Sequence, residues 1–173
     1  AAFSIDETTA GIMFKARQLS VPAAHGSVAQ TAKAKLELAQ AKLLSCDFGA
    51  ACQLLQEVHK QRPNDSFVIQ QLALATYKSN QPTPEAALDA ASTILQALNP
   101  ATTNDPETLG LWGTIHKRRW KISHLEQDLN ESIDAYGRGF HLKQDYYNGI
   151  NLAFLLELRA LTELKAGERD EGI

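Results

Sequence analysis

Apolar side chains recur along this chain at three- and four-residue intervals. Leu36, Ala39 and Leu43 fall on one face, as do Phe48, Ala51, Leu55 and Val58. That spacing gives a helix one buried stripe. Between the two runs, Ser45-Cys46-Asp47 interrupts the pattern, and Asp47 stands where its carboxylate can accept from the free N–H groups of the second helix. Pro63-Asn64-Asp65 ends that helix, because proline lacks the N–H and clashes with the preceding turn. The pattern predicts helices over about Val28 to Leu44 and Phe48 to Gln61. Ala39 and Ala51 sit where the two would cross, and a large side chain there would force the axes apart.

The unit recurs. Leu38-Ala39 returns as Leu72-Ala73, Trp112-Gly113 and Leu152-Ala153, at offsets of 34, 40 and 40 residues. In the second helices, Ala51, Leu55 and Val58 correspond to Ala87, Ala91 and Ile94, then to Ser132, Tyr136 and Gly139. Longer turns account for the longer offsets: Asn80-Gln81-Pro82-Thr83-Pro84, and the polar stretch from Ser123 to Gln127. A small residue in each helix, an aromatic opening the second and a closing proline make Ala32 to Asp65 resemble the tetratricopeptide repeat, usually 34 residues long.

The resemblance implies an all-α fold, a tetratricopeptide-like right-handed α-solenoid of antiparallel helix pairs. It fills one domain over residues 1–173. A leading helix at 6–22, with Ala10 and Phe14 on its apolar side, precedes pairs at 28–65, 66–100 and 106–144. The final helix at 146–166 has no partner, and its bare apolar face offers a route to self-association. With no initiator Met and an abrupt end, the chain reads as a piece of a longer protein or a processed form.

Three stretches carry a narrower resemblance: Leu109 to Lys117 (LGLWGTIHK), Tyr136 to Phe140 (YGRGF) and Tyr146 to Leu156 (YYNGINLAFLL). Together they look like the TRAFs-binding domain family, known from the central region of apoptosis signal-regulating kinases and from bacterial repeat proteins. The likeness covers roughly residues 30 to 165. It implies a regulatory platform that recruits signalling partners, and no catalytic residue. Asp47-Phe48-Gly49 has none of the loops a kinase would place around it. Physically, Gly113 and Gly139 permit close helix approach at about 1 kcal/mol each in helix propensity, which tight packing must offset. Trp112 is expected in the core. Asn151 is expected to satisfy backbone groups or to face a groove.

Composition narrows the partners. A hydrophobic fraction of 44% with 21% charged residues supports a packed core over a self-repelling chain. A net charge of −3 gives no pull toward nucleic acid or anionic membrane, and no window approaches the ~20 apolar residues of a spanning helix. Cys46 and Cys52 are too few to staple a secreted domain and lack a second ligand pair for zinc, so they are expected as free thiols in a cytoplasmic protein. No cofactor or metal is expected.

Solenoids of this kind usually bind on their concave side. By helical phase, that side would be lined by Leu36, Gln40, Leu43, Gln70, Leu74, Tyr77, Thr114, Lys117, Ile150 and Phe154, a mixture suited to an extended peptide or a helix. Lys117, Arg118 and Arg119 form a basic run after His116. One reading is a patch for an acidic peptide or phosphate; the other is a solvated helix end whose cations meet the dipole. The carboxylates Glu126, Asp128, Glu131 and Asp134 read as dipole partners of a helix start. No histidine pair has metal-ligand spacing, and His59 is badly placed to activate Cys52. The reading is a non-catalytic module that holds a protein or peptide, or else a receptor for a small peptide or anion.

Overall fold

The computed structural model describes residues 28–170, and side chains from 31 to 164. Seven α-helices follow one another among them: α1 (Val28–Leu44), α2 (Phe48–Gln61), α3 (Ser66–Ser79), α4 (Pro84–Leu95), α5 (Pro106–Ser123), α6 (Glu126–Lys143) and α7 (Tyr146–Asp170), with a 3₁₀ turn, Gln96–Leu98, after α4. No strand occurs among the described residues. The helix expected at 6–22 lies outside them.

Side chains at the starts fix most of the boundaries. Asp47, Asp65, Thr83 and Asp105 each accept from a backbone N–H in the first turn of the helix that follows, and Pro84 and Pro106 occupy first-turn positions where no N–H is needed. At the other ends the chain reverses through left-handed residues that are not glycine: Cys46, Asn80, Asn99, His124 and Gln144. His124 N–H donates to Trp120 O at 2.8 Å and Gln144 N–H to Phe140 O at 2.7 Å, which satisfies carbonyls the helices leave open.

Each helix packs on the next, and α3 also touches α5. This adjacency is that of a tetratricopeptide-like helical solenoid: α1, α3, α5 and α7 form one layer, and α2, α4 and α6 the other. The core is a chain of clusters, one per junction. Ala39, Ala51, Leu55, Leu72 and Ala75 join α1, α2 and α3. Ala73, Leu88, Ala91, Leu95, Leu111 and Ile115 join α3, α4 and α5, with Trp112 packed on the edge. Leu129, Tyr136 and Leu155 join α6 to α7.

The repeat offsets have a different origin from the one expected. The turn between α5 and α6 is only His124-Leu125, not a long polar stretch. The third unit is longer because α5 and α6 have 18 residues each, against 14 in α2 and α3. In the second unit the extra length is partly the Asn80–Thr83 turn and mostly the connection after α4, residues 96–105. Arg138 of α6 pins that connection, donating to Pro100 O at 3.1 Å and Thr103 O at 2.9 Å.

The tight contacts are where small residues were expected. Ala39, Ala51, Ala73, Ala87, Ala91, Gly113, Ser132 and Gly139 are all buried. A Cβ on Gly113 would stand 2.9 Å from the Tyr136 ring, and one on Gly139 2.8 Å from Asn148 Oδ1. Ser132 Oγ donates to Gly113 O at 2.8 Å across the same crossing. Ala153, the matching position on α7, is exposed because no second helix among the described residues covers it.

Substituting Gly113→Ala is expected to lower the unfolding free energy by about 2 kcal/mol through overpacking against Tyr136. Gly49→Ala is expected to raise it by about 0.5 kcal/mol, since nothing lies within 4 Å of its would-be Cβ and alanine is the better helix former. Urea unfolding of the two variants beside the parent checks both signs.

Candidate functional site

The inner layer brings the predicted groove residues into one series, but not all of them into the open. On α1, Leu36, Gln40 and Leu43 are half-buried, with Leu36 and Leu43 leaning on the neighbouring core. On α3, Gln70, Leu74 and Tyr77 are buried. Gln70 reaches sideways, its amide donating to Asp105 Oδ2 at 2.5 Å and Thr108 Oγ1 at 3.0 Å on α5. Asp105 therefore caps α5 and receives the α3 amide at once. On α7, Ile150 and Phe154 are half-buried, and Phe154 packs on the Leu129–Tyr136–Leu155 cluster.

Between α5, α6 and α7 lies a polar knot. Thr114 Oγ1 donates to Gly110 O at 2.8 Å and lies 2.8 Å from Tyr136 OH and 2.6 Å from Tyr147 OH. Beside it, Lys117 Nζ donates to Asn151 Oδ1 at 2.6 Å and lies 5.9 Å from the Tyr136 ring centroid. Asn151 Nδ2 in turn donates to Tyr147 O at 2.8 Å, one turn back on its own helix. Asn151 thus satisfies backbone of its own helix, not of the adjacent unit as expected, and its side chain reaches the adjacent inner helix only through Lys117.

Lys117, Arg118 and Arg119 diverge, since successive helical residues point about 100° apart. Lys117 faces α7 and is only 6% exposed, so it is not a solvated helix end. Arg118 stacks over the Tyr77 ring of α3, 5.1 Å from the centroid. Arg119 turns to the outer layer and donates to Asp89 Oδ1 at 2.5 Å. Lys117 and Arg118 share the inner side; Arg119 does not join them.

Residue spacing did not disclose the His116–Asp128 pair. Its Nδ1 and Oδ1 are 2.8 Å apart, both side chains are largely buried, and His116 stacks edge-on against Trp112. The signal was there in retrospect: Asp128 stands in the first turn of α6, three residues past a two-residue turn that folds it back on the end of α5. Glu126 and Asp128 do lie in that first turn, where carboxylates meet the positive end of the helix dipole. Among the described residues no group of three or more metal-ligating side chains is assembled, both cysteines are free thiols, and no helix is long and apolar enough to cross a membrane.

Tyr136 is fully buried. Its burial first, and neighbouring Tyr147 second, hold the phenol well above its ordinary pKa of 10.0, against a smaller opposite pull from Thr114. Because the folded value is raised, the proton is held more tightly in the native state. The associated stability is complete below about pH 10 and is lost as pH climbs through the folded value. Unfolding followed between pH 9 and 12 should show this alkaline loss in the parent, and a flatter profile in Tyr136→Phe.

A family model described as Tetratricopeptide Repeats-Sensor matches residues 47–156, well over half of the chain. No curated protein matches it in sequence. The match begins at the cap of α2 and runs into α7, so it takes in the whole α5–α6–α7 junction and the three stretches whose narrower likeness, to the TRAFs-binding domain family, rests on those motifs alone. Repeat domains of this type are generally non-catalytic modules for protein interaction or sensing. By its helix pairs, its small-residue crossings and this match, the chain belongs to the tetratricopeptide-repeat sensor family.

Proposed function

We propose that the chain is a non-catalytic binding module of a larger cytoplasmic signalling protein, and that it takes a partner segment along its inner wall. The observation that carries the reading is the make-up of that wall. Lys117 and Arg118 stand among Tyr77, Thr114, Tyr147 and Asn151, with the half-buried Leu36, Leu43 and Phe154 at either end. Cations set among aromatic and apolar surface suit an acidic segment with one or two apolar anchors. The TRAFs-binding likeness supports the same regulatory role.

A second reading has its own support. Lys117 and Asn151 meet at 2.6 Å between α5 and α7, and the family takes its description from sensing. A small peptide or anion seated there would shift the angle between α5 and α7 by binding one arrangement better than another.

Photo-reactive residues placed at Phe154 and at Leu125 separate inner from outer binding. Leu125 is exposed at the α5–α6 turn. The partner captured from the source organism should crosslink from position 154 and not from 125, and Arg118→Glu should weaken its binding at least tenfold, of the order of a lost charge-assisted contact. Crosslinks from 125 alone, with unchanged affinity in Arg118→Glu, would exclude the groove. Loss of binding to small anions in Arg118→Glu while the protein partner is retained would favour the receptor.

A further inference from the structure

One turn of α6 reaches toward both junctions of the inner layer. Tyr136 points into the crossing with α5 and α7, where its hydroxyl meets Thr114. Arg138 stands two residues on, about 200° further round the helix, and points the other way. Its guanidinium spans two backbone carbonyls of the 96–105 connection, Pro100 O at 3.1 Å and Thr103 O at 2.9 Å. Within the connection, Thr102 and Thr103 N–H both donate to Asn99 O, at 3.0 and 2.9 Å, and Pro100 is fully buried. A planar fork of donors matches two carbonyls at once, which a single ammonium does not.

From Thr103 the tie runs inward. Thr103 Oγ1 accepts from Asp105 N–H at 3.2 Å. Asp105 Oδ2 accepts from Thr108 N–H at 3.1 Å and from the Thr108 hydroxyl at 2.6 Å, which caps α5. The same oxygen accepts from Gln70 Nε2 of α3 at 2.5 Å, and Gln70 Nε2 also reaches Thr108 Oγ1 at 3.0 Å. Gln70 is 6% and Thr108 1% exposed. A bond lost there leaves a buried polar group that water does not reach. The orientation of Asp105 is therefore shared between the connection, α5 and α3.

We infer that Arg138 is a positioning residue: by pinning the connection from the outer layer, it fixes where Asp105 stands and with it the junction of α3 and α5. The series Arg138, Thr103, Asp105, Gln70 crosses from the outer layer to the inner one, each step a hydrogen bond. One turn of α6 then governs both inner junctions, α5–α7 through Tyr136 and α3–α5 through Arg138. This gives the YGRGF stretch a reason for its arginine that helix packing does not. A force that parts α3 from α5 pulls on Arg138, and a displacement of α6 acts back on the inner layer, because coupling between two places is reciprocal. The inference does not depend on what the wall binds.

Side-chain amide spectra of the ¹⁵N-labelled full chain test it. In Arg138→Ala the Gln70 amide pair should shift, and the Thr108 N–H should exchange with solvent about tenfold faster, as a loosened cap allows. Arg138→Lys should recover only part of either change. Asp134→Ala removes the ion pair that Arg138 makes on its own helix at 3.8 Å, and should change neither. A merely destabilised fold speeds exchange but does not move the Gln70 resonance of chains that stay folded. In a double-mutant cycle, the effect of Arg138→Ala on the unfolding equilibrium should be about threefold smaller in a Gln70→Ala background than in the parent. A Gln70 resonance unmoved in Arg138→Ala overturns the inference, and so do equilibrium factors that simply multiply. Should Arg138→Ala not fold, Gln70→Ala gives the reciprocal readout: the Arg138 guanidinium resonances shift if the tie exists and stay in place if it does not.

Discussion

Two helix axes approach only as closely as the side chains between them allow, and this fold depends on how little is left between them at each crossing. Gly113 against the Tyr136 ring, Gly139 against Asn148 and Gly149 against the Phe140 ring are the tightest cases. Glycine is a poor helix residue, so these positions are disfavoured locally by about 1 kcal/mol each. Their return is collective. With no Cβ at 113, Tyr136 lies flat in the crossing, its hydroxyl reaches Thr114, and Thr114 reaches Tyr147 of the next inner helix. One missing methyl thereby sets the spacing of three helices.

The inner wall inherits that spacing. Lys117 and Asn151 meet at 2.6 Å because α5 and α7 are held apart by a fixed amount, and that amount is set in the outer layer by α6. The wall is thus tied across α5 and α7 in its third unit.

Much of the fold was legible because helix pairs announce themselves locally. The Asp47 cap, the closing Pro63 and the small residue at each crossing are decided by neighbours a few positions away, and the helices fall where those signals put them. Lateral relations were not legible. Phase placed Gln70 and Tyr77 on the hollow side, whereas Asp105, Thr108 and Arg118 draw both sideways onto α5. An error of one position is 100° of rotation, and only the crossing geometry between inner helices resolves it. The longer offset of the third unit was misassigned to its turn for a similar reason, since sequence periodicity does not say whether added residues lengthen a loop or a helix.

Charge shows the same limit. A net of −3 over the chain gives no hint that Lys117 and Arg118 both stand on an inner helix, because carboxylates such as Glu57, Asp89, Glu131 and Asp134 are carried by the outer helices α2, α4 and α6. A concave surface concentrates the field of such cations, since the low-dielectric walls on either side keep water from screening it.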